Sequence, residues 1–295
     1  MNRPAFVTGF AAMFSVRTRS PRSQDVRFVR VGAIAVIPLL LGACATTTEK
    51  GTVDVERRQL LLVSSAEMDQ SAALAYQKTL QAETPKGNVN RDPKQVERVR
   101  AIARRLIPQT AVFRKDAVDW KWEVNVLTSS QINAWCMPGG KIAFYTGILE
   151  KLQLTDDEIA AVMGHEISHA LREHARERAS QQLATSVGAS AVGALLGVGQ
   201  PGADLAGVVG QVTFLLPYSR LHETEADRMG VELAARAGYD PRAANTLWQK
   251  MAQMSGGGGT PQLLSTHPSN EDRIKDLQVF SQRVLPLYEQ ARAKP

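Results

Sequence analysis

Apolar residues recur along this chain mostly at helical spacing, and one short region reads as strand. Between Thr155 and Leu171, Ile159, Val162, Met163 and Ile167 return every three or four residues, so one helix face is buried. Thr155-Asp156-Asp157-Glu158 opens that helix as a capping box, in which the Thr155 hydroxyl takes an orphan amide and Glu158 reaches back. Acidic residues in this first turn also suit the helix dipole. The polar run from Arg172 to Arg178 is then expected to leave the core. Upstream, Val55 to Gln81 reads as a long helix anchored by Leu60, Leu61, Val63, Met68 and Leu74. Lys94 to Leu106 reads as a second amphipathic helix closed by Pro108, after a Pro-, Gly- and Asn-bearing loop from Glu83 to Pro93.

Strands fall within Trp120 to Tyr145, with Pro138-Gly139-Gly140 as the turn. Downstream, Gly238 stops a helix, and Asp240-Pro241 caps and begins the next, on which Trp248 and Met251 read as core. Gly256 to Gly259 reads as a flexible joint. Ala184 to Leu216 is rich in Ala, Gly and Val and reads as a buried helical pair, with a membrane-dipping hairpin or a lid as alternatives. Its Gly, Pro and Asp argue against two full membrane spans. The sum is an α+β fold, mostly helical, with a small sheet.

Charge and cysteine change the picture at the N-terminus. The formal net charge is +6, but the first 43 residues hold six Arg and one Asp, which accounts for five of those charges. The basic balance belongs to this leader, and nothing argues for a nucleic-acid partner. Arg17, Arg19, Arg22, Arg27 and Arg30 precede an apolar run from Val31 to Leu41 that is short for a membrane span. The run ends in Leu41-Gly42-Ala43-Cys44, which resembles a bacterial lipobox, whose Cys is lipidated and becomes the new N-terminus. Residues 1–43 are therefore expected as a lipoprotein signal peptide, 44–54 as a polar tether, and 55–295 as one folded domain. Ala45, standing where Asp would signal retention at the inner membrane, favours the outer membrane facing the periplasm. Lipidating Cys44 leaves only Cys136, so no internal disulfide forms.

The candidate chemistry lies in His165-Glu166-Ile167-Ser168-His169, an HExxH pattern inside the capped helix. Positions i and i+4 share a helix face, so both imidazoles can reach one metal ion while Glu166 handles a water proton. A catalytic zinc needs a third protein ligand and an open position. The extension HExxHxxGxxH is absent, because Arg172 and Ala175 stand where Gly and His are required. His174 is one residue off that register and reads as a solvated surface residue. Glu223 and Asp227 in Glu223-Thr224-Glu225-Ala226-Asp227 are four apart. One can ligate the metal while the other holds a ligand imidazole from behind.

These motifs resemble the membrane-linked zinc metallopeptidases of family 48, the HtpX, BepA and LoiP type, in lipoprotein form. Trp122 to Leu127, Asn133 to Gly140 and Ser265-Thr266-His267-Pro268 resemble further segments of that family, so the likeness runs from about Val55 to Leu285. It implies a zincin-like metalloprotease domain with one Zn2+ on His165, His169 and Glu223. It also implies Glu166 as base, Asp227 as support, and His267 as a gate on the open position. Arg273 is carried as a catalytic candidate, and Tyr218, His222, His267 and Arg273 are all candidates for the oxyanion. The expected function is endopeptidase action on misfolded or misassembled envelope proteins. The outer-membrane protein assembly machinery is a candidate partner, and the lipid anchor supplies the membrane contact. The alternative is a lipid-anchored chaperone or assembly factor, which needs the cleft but not Glu166.

Overall fold

The helix predicted from Thr155 lies at the centre of the structure. The computed structural model describes residues 44–195, 217–254, 261–268 and 271–293, with side chains from 187 to 195 left aside. The described residues belong to one compact unit, Ala43–Pro295. The expected signal peptide and the glycine joint lie outside the described residues. The N-terminal elements are β1 (Cys44–Ala45), β2 (Gln59–Leu60), α1 (Ser65–Glu83) and α2 (Pro93–Leu106). The sheet follows as β3 (Glu123–Leu127), β4 (Ala134–Met137) and β5 (Lys141–Tyr145). Then come α3 (Thr146–Lys151), α4 (Asp156–Leu171), α5 (His174–Leu195), α6 (Arg220–Arg236), α7 (Ala243–Met254), α8 (Gln262–Thr266) and α9 (Glu271–Ala293).

Both halves of the Thr155 capping box form. The Glu158 amide donates to the Thr155 hydroxyl at 3.2 Å, and the Thr155 amide donates to Glu158 at 2.9 Å. From Glu158 to Leu171 every residue of α4 is buried, as expected of a helix enclosed on all sides. Its main partner is α6. The two cross at Gly164 and Gly230, where a Cβ on Gly164 would stand 2.7 Å from the Gly230 carbonyl oxygen. Small residues at that point let the backbones meet.

The sheet order is β3-β5-β4, with β3 parallel and β4 antiparallel to β5. The turn Met137 to Lys141 uses Gly139 and Gly140 at φ +71° and +79°, and a Cβ on Gly140 would strike the Trp122 ring. In that order β4 is an edge strand among the described residues, and it packs against α4.

Three expectations are corrected here. The helix read from Val55 begins only at Ser65, behind a Ser64–Glu67 capping box. The residues before it are extended because partners elsewhere hold them: β2 pairs with β1, and the Leu62 and Val63 amides donate to the Ser180 hydroxyl. The segment read as a tether over 44–54 runs along the body. The Thr52 and Val53 amides donate to Glu232 at 2.8 and 3.2 Å, and Val53 is fully buried. The polar run after α4 also stays inside, with Arg172 and His174 fully buried and Glu177 and Arg178 nearly so. α5 continues to Leu195, and the rest of the segment read as a hairpin or lid lies outside the described residues. Among the described residues no helix is long and apolar enough to cross a membrane.

Candidate metal centre

Two crossing helices and one short helix end supply the centre. α4 carries His165, Glu166 and His169, α6 carries Glu223 and Asp227, and His267 follows α8 directly. One donor atom from each of His165, His169, Glu223 and His267 lies within 4.8 Å of the others, and all four residues are buried. The facing Nε2 atoms of His165 and His169 are 3.1 Å apart. Glu223 stands 3.3 Å from His169 Nε2 and 3.6 Å from His165 Nε2. His267 Nδ1 occupies the fourth side, 3.2 Å from His165 Nε2 and 2.9 Å from Glu223 Oε1. A tetrahedral zinc with ligands at about 2.0–2.1 Å separates its donors by about 3.3 Å. Nitrogen and carboxylate donors at these spacings fit one such ion.

Charge supports the same reading. Burial alone would raise Glu223, but His267, His169 and His165 hold its carboxyl well below the usual range, so it is an anionic donor. Asp227 Oδ1 lies 2.9 Å from His165 Nδ1, one helical turn beyond Glu223. Burial would raise Asp227 too, and Arg273 with His165 outweighs it and lowers its pKa. Arg273 grips Asp227 through Nε at 2.7 Å and a terminal nitrogen at 2.8 Å, and reaches Glu223 Oε2 at 2.8 Å. It also lies 4.1 Å over the Trp248 ring and donates to the Pro268 carbonyl. Trp248, read as core, is core and wall of the site together.

Glu166 sits between sheet and centre. The Cys136 amide of β4 donates to its carboxylate, while burial pushes its pKa up against the pull of His267 and His165. Its Oε1 is buried without a hydrogen-bond partner among the described residues, 3.6 Å from His267 Nε2. A carboxyl raised by burial, with one oxygen that meets no hydrogen-bond partner among the described residues, is suited to taking up a proton.

All five histidines of the chain lie at or beside this centre. His174, read as a solvated surface residue, is fully buried. Its Nδ1 is 2.9 Å from His169 Nδ1, and its Nε2 is 2.9 Å from Glu225 Oε2. The cause is a left-handed residue: Glu173 at φ +51° ends α4 and starts α5, turning the chain back under His169. On an unbroken helix, five positions apart would place the two rings on different faces. Reasoning from the sequence missed Glu225 for the same cause, although it lies inside the Glu223 to Asp227 motif. His222 stacks on His174 with ring centres 4.3 Å apart and meets Glu177 at 3.1 Å, away from the four donors. The Tyr218 ring lies 4.1 Å from His169 and stacks on His267 at 5.1 Å, under the Arg178 guanidinium.

Comparison with known proteins agrees with this geometry. The mitochondrial metalloendopeptidase OMA1 of Arabidopsis thaliana is 38% identical over 154 residues, which is 52% of this chain and 30% of that protein. The OMA1 protein of Schizosaccharomyces pombe is 36% identical over 165 residues, 54% of this chain and 47% of its own length. The beta-barrel assembly-enhancing protease of Yersinia pestis is 28% identical over 229 residues, 74% of this chain and 45% of its own length. The chain thus spans less than half the length of each of these relatives. The model of peptidase family M48 matches residues 93–280, which is well over half of the chain and contains every residue of the four-donor set. With that match and the HExxH geometry together, the chain belongs to peptidase family M48.

Proposed function

We propose that this chain is a zinc-dependent endopeptidase. The observation that carries the reading is the buried four-donor set with the Glu166 carboxyl, raised by burial, directly beside it. His165, His169 and Glu223 would hold the metal, and Asp227, itself gripped by Arg273, would orient His165. When bound there, zinc supplies Lewis acidity, polarising the scissile carbonyl and lowering the pKa of water toward about 7. Glu166 takes the proton of the attacking water and gives it to the leaving amine. The Cys136 amide keeps one carboxylate oxygen engaged and leaves Oε1 for this exchange. Of the oxyanion candidates, Arg273 is committed to Asp227 and Glu223, and His222 to Glu177. That leaves Tyr218 beside the reacting carbonyl, since His267 fills the fourth side of the donor set until it departs.

His267 acts as a gate in this reading, because its Nδ1 takes the fourth side of the donor set. The Leu263 amide of α8 donates to the Ile132 carbonyl at 3.1 Å, just before the edge strand β4. An extended peptide that adds to that edge competes with α8, so docking of substrate and departure of His267 favour one another. The substrates proposed are unfolded or misassembled envelope proteins, met by an enzyme anchored through Cys44 at the periplasmic face of the outer membrane. The lipobox-like Leu41 to Cys44 supports the anchor, and the Yersinia relative's name, joining protease to beta-barrel assembly, supports the substrate class.

The test uses Glu166→Gln in the full chain. The variant should keep about one zinc per chain and lose cleavage of casein or a misfolded outer-membrane protein by at least about 100-fold. Cleavage at the parent rate would end the proposal. Restored outer-membrane assembly by this inactive variant, in cells lacking the protein, would favour a chaperone.

A further inference from the structure

The two ligand imidazoles of α4 are supported differently. His165 meets its carboxylate, Asp227, directly at 2.9 Å. Among the described residues His169 meets no carboxylate through Nδ1; it meets His174 Nδ1 at 2.9 Å, and His174 Nε2 meets Glu225 Oε2 at 2.9 Å. Glu225 is in turn fastened from two sides. Arg57 Nε reaches its Oε1 at 2.9 Å, and a terminal nitrogen of Arg172 reaches the same oxygen at 3.0 Å. The His222 ring covers one face of His174. His174 and Arg172 are fully buried, and Glu225 is nearly so.

We propose that His174 and Glu225 are positioning residues for His169, forming a carboxylate–imidazole–imidazole chain that ends at the metal. The proposal rests on the zinc reading above and extends it. An imidazole that gives Nε2 to a metal carries its proton on Nδ1 and needs an acceptor there. His174 supplies that acceptor through its own unprotonated Nδ1. Its proton is then on Nε2, and Glu225 accepts it. Each link fixes the tautomer of the next, so the negative charge of Glu225 reaches His169 through one neutral ring. The carboxylate stands one residue farther from the metal than Asp227 does, which leaves room for Arg57 from the N-terminal segment to hold it.

The geometry makes a prediction that a purely structural ion network does not. In His174→Asn the amide oxygen takes the place of Nδ1, and the bond from His169 survives. In His174→Gln the amide takes the place of Nε2, so the bond to Glu225 survives and the one from His169 is lost. Zinc affinity is read on the full chain by competition with a metallochromic chelator at fixed pH. The visible spectrum of the cobalt-substituted protein reports ligand geometry, and thermal unfolding of the metal-free forms reports folding. His174→Asn keeps the acceptor for His169 but loses the link to Glu225, so it should bind zinc only several-fold more weakly than the parent, with a parent-like cobalt spectrum. His174→Gln should bind about 10- to 100-fold more weakly, with an altered spectrum. Equal affinities for the two variants, or the reverse order, overturn the proposal. Should neither fold, Glu225→Gln decides, because it keeps volume and an acceptor oxygen and removes only the charge. It should weaken zinc binding several-fold, and an unchanged constant overturns the proposal. A parent chain that binds no zinc refutes the zinc reading itself, whereas a zinc-binding parent matched by its variants refutes only the positioning chain.

Discussion

Gly164→Ala should damage the metal centre more than it damages the fold. The added Cβ would stand 2.7 Å from the Gly230 carbonyl oxygen and 3.3 Å from the Gly230 carbonyl carbon and Cα. Ordinary contact begins at 3.4 Å, so α4 and α6 must separate by about 0.7 Å, because a close-packed backbone has no side chain to move aside. Such overpacking costs roughly 1–3 kcal/mol, and replacing Gly by Ala inside a helix returns about 1 kcal/mol. The net loss is about 0–2 kcal/mol, or a fall in Tm of no more than about 8 °C. The centre responds more steeply, since His165 follows Gly164 directly and Asp227 lies three residues before Gly230 on the facing helix. Donors must be held within about 0.5 Å of their working positions, and a 0.7 Å parting exceeds that. Zinc affinity should fall at least about tenfold, equivalent to roughly 1.4 kcal/mol. Thermal unfolding of the metal-free protein and chelator competition separate the two effects. Gly230→Ala should behave alike, since its Cβ would meet the His165 amide nitrogen at 2.8 Å. A Gly164→Ala protein with parent zinc affinity and an unchanged or higher Tm would refute the reasoning.

Three other outcomes are expected. His267→Ala should raise basal cleavage and leave zinc content unchanged, because it frees the fourth side of the donor set; loss of activity with the fold intact would make His267 a participant in the chemistry. Thr155→Ala removes one half of a formed capping box and should cost about 1 kcal/mol in urea unfolding; an unshifted midpoint would show that tertiary contacts alone hold the start of α4. Cys44 should carry lipid by mass spectrometry, and Cys44→Ser should release a soluble form or block processing; a mature chain that begins elsewhere counts against the anchor.

Much of the donor geometry was legible from spacing alone. His165 and His169 are four apart on a capped helix, and helical geometry turns that interval into a shared face. Glu223 and Asp227 obey the same rule, so both pairs could be named before any packing was known. The sheet turn was legible because Pro138-Gly139-Gly140 needs backbone angles that only glycine adopts easily.

What spacing could not reveal depends on contacts between distant residues. The segment from Val55 to Gln81 carries apolar anchors that fit a helix, yet pairing of β2 with β1 and the Ser180 hydroxyl hold its first part extended. No local propensity competes with that many non-local hydrogen bonds. His174 reads as a surface residue until Glu173 adopts a left-handed conformation and α6 brings Glu225 to meet it. The angle at which α4 and α6 meet rests on two glycines 66 positions apart. Short-range periodicity determines which side chains share a face. Which faces meet, and what lies behind each ligand, is decided only when the chain closes on itself, because those contacts cost loop entropy and exist only in the assembled fold.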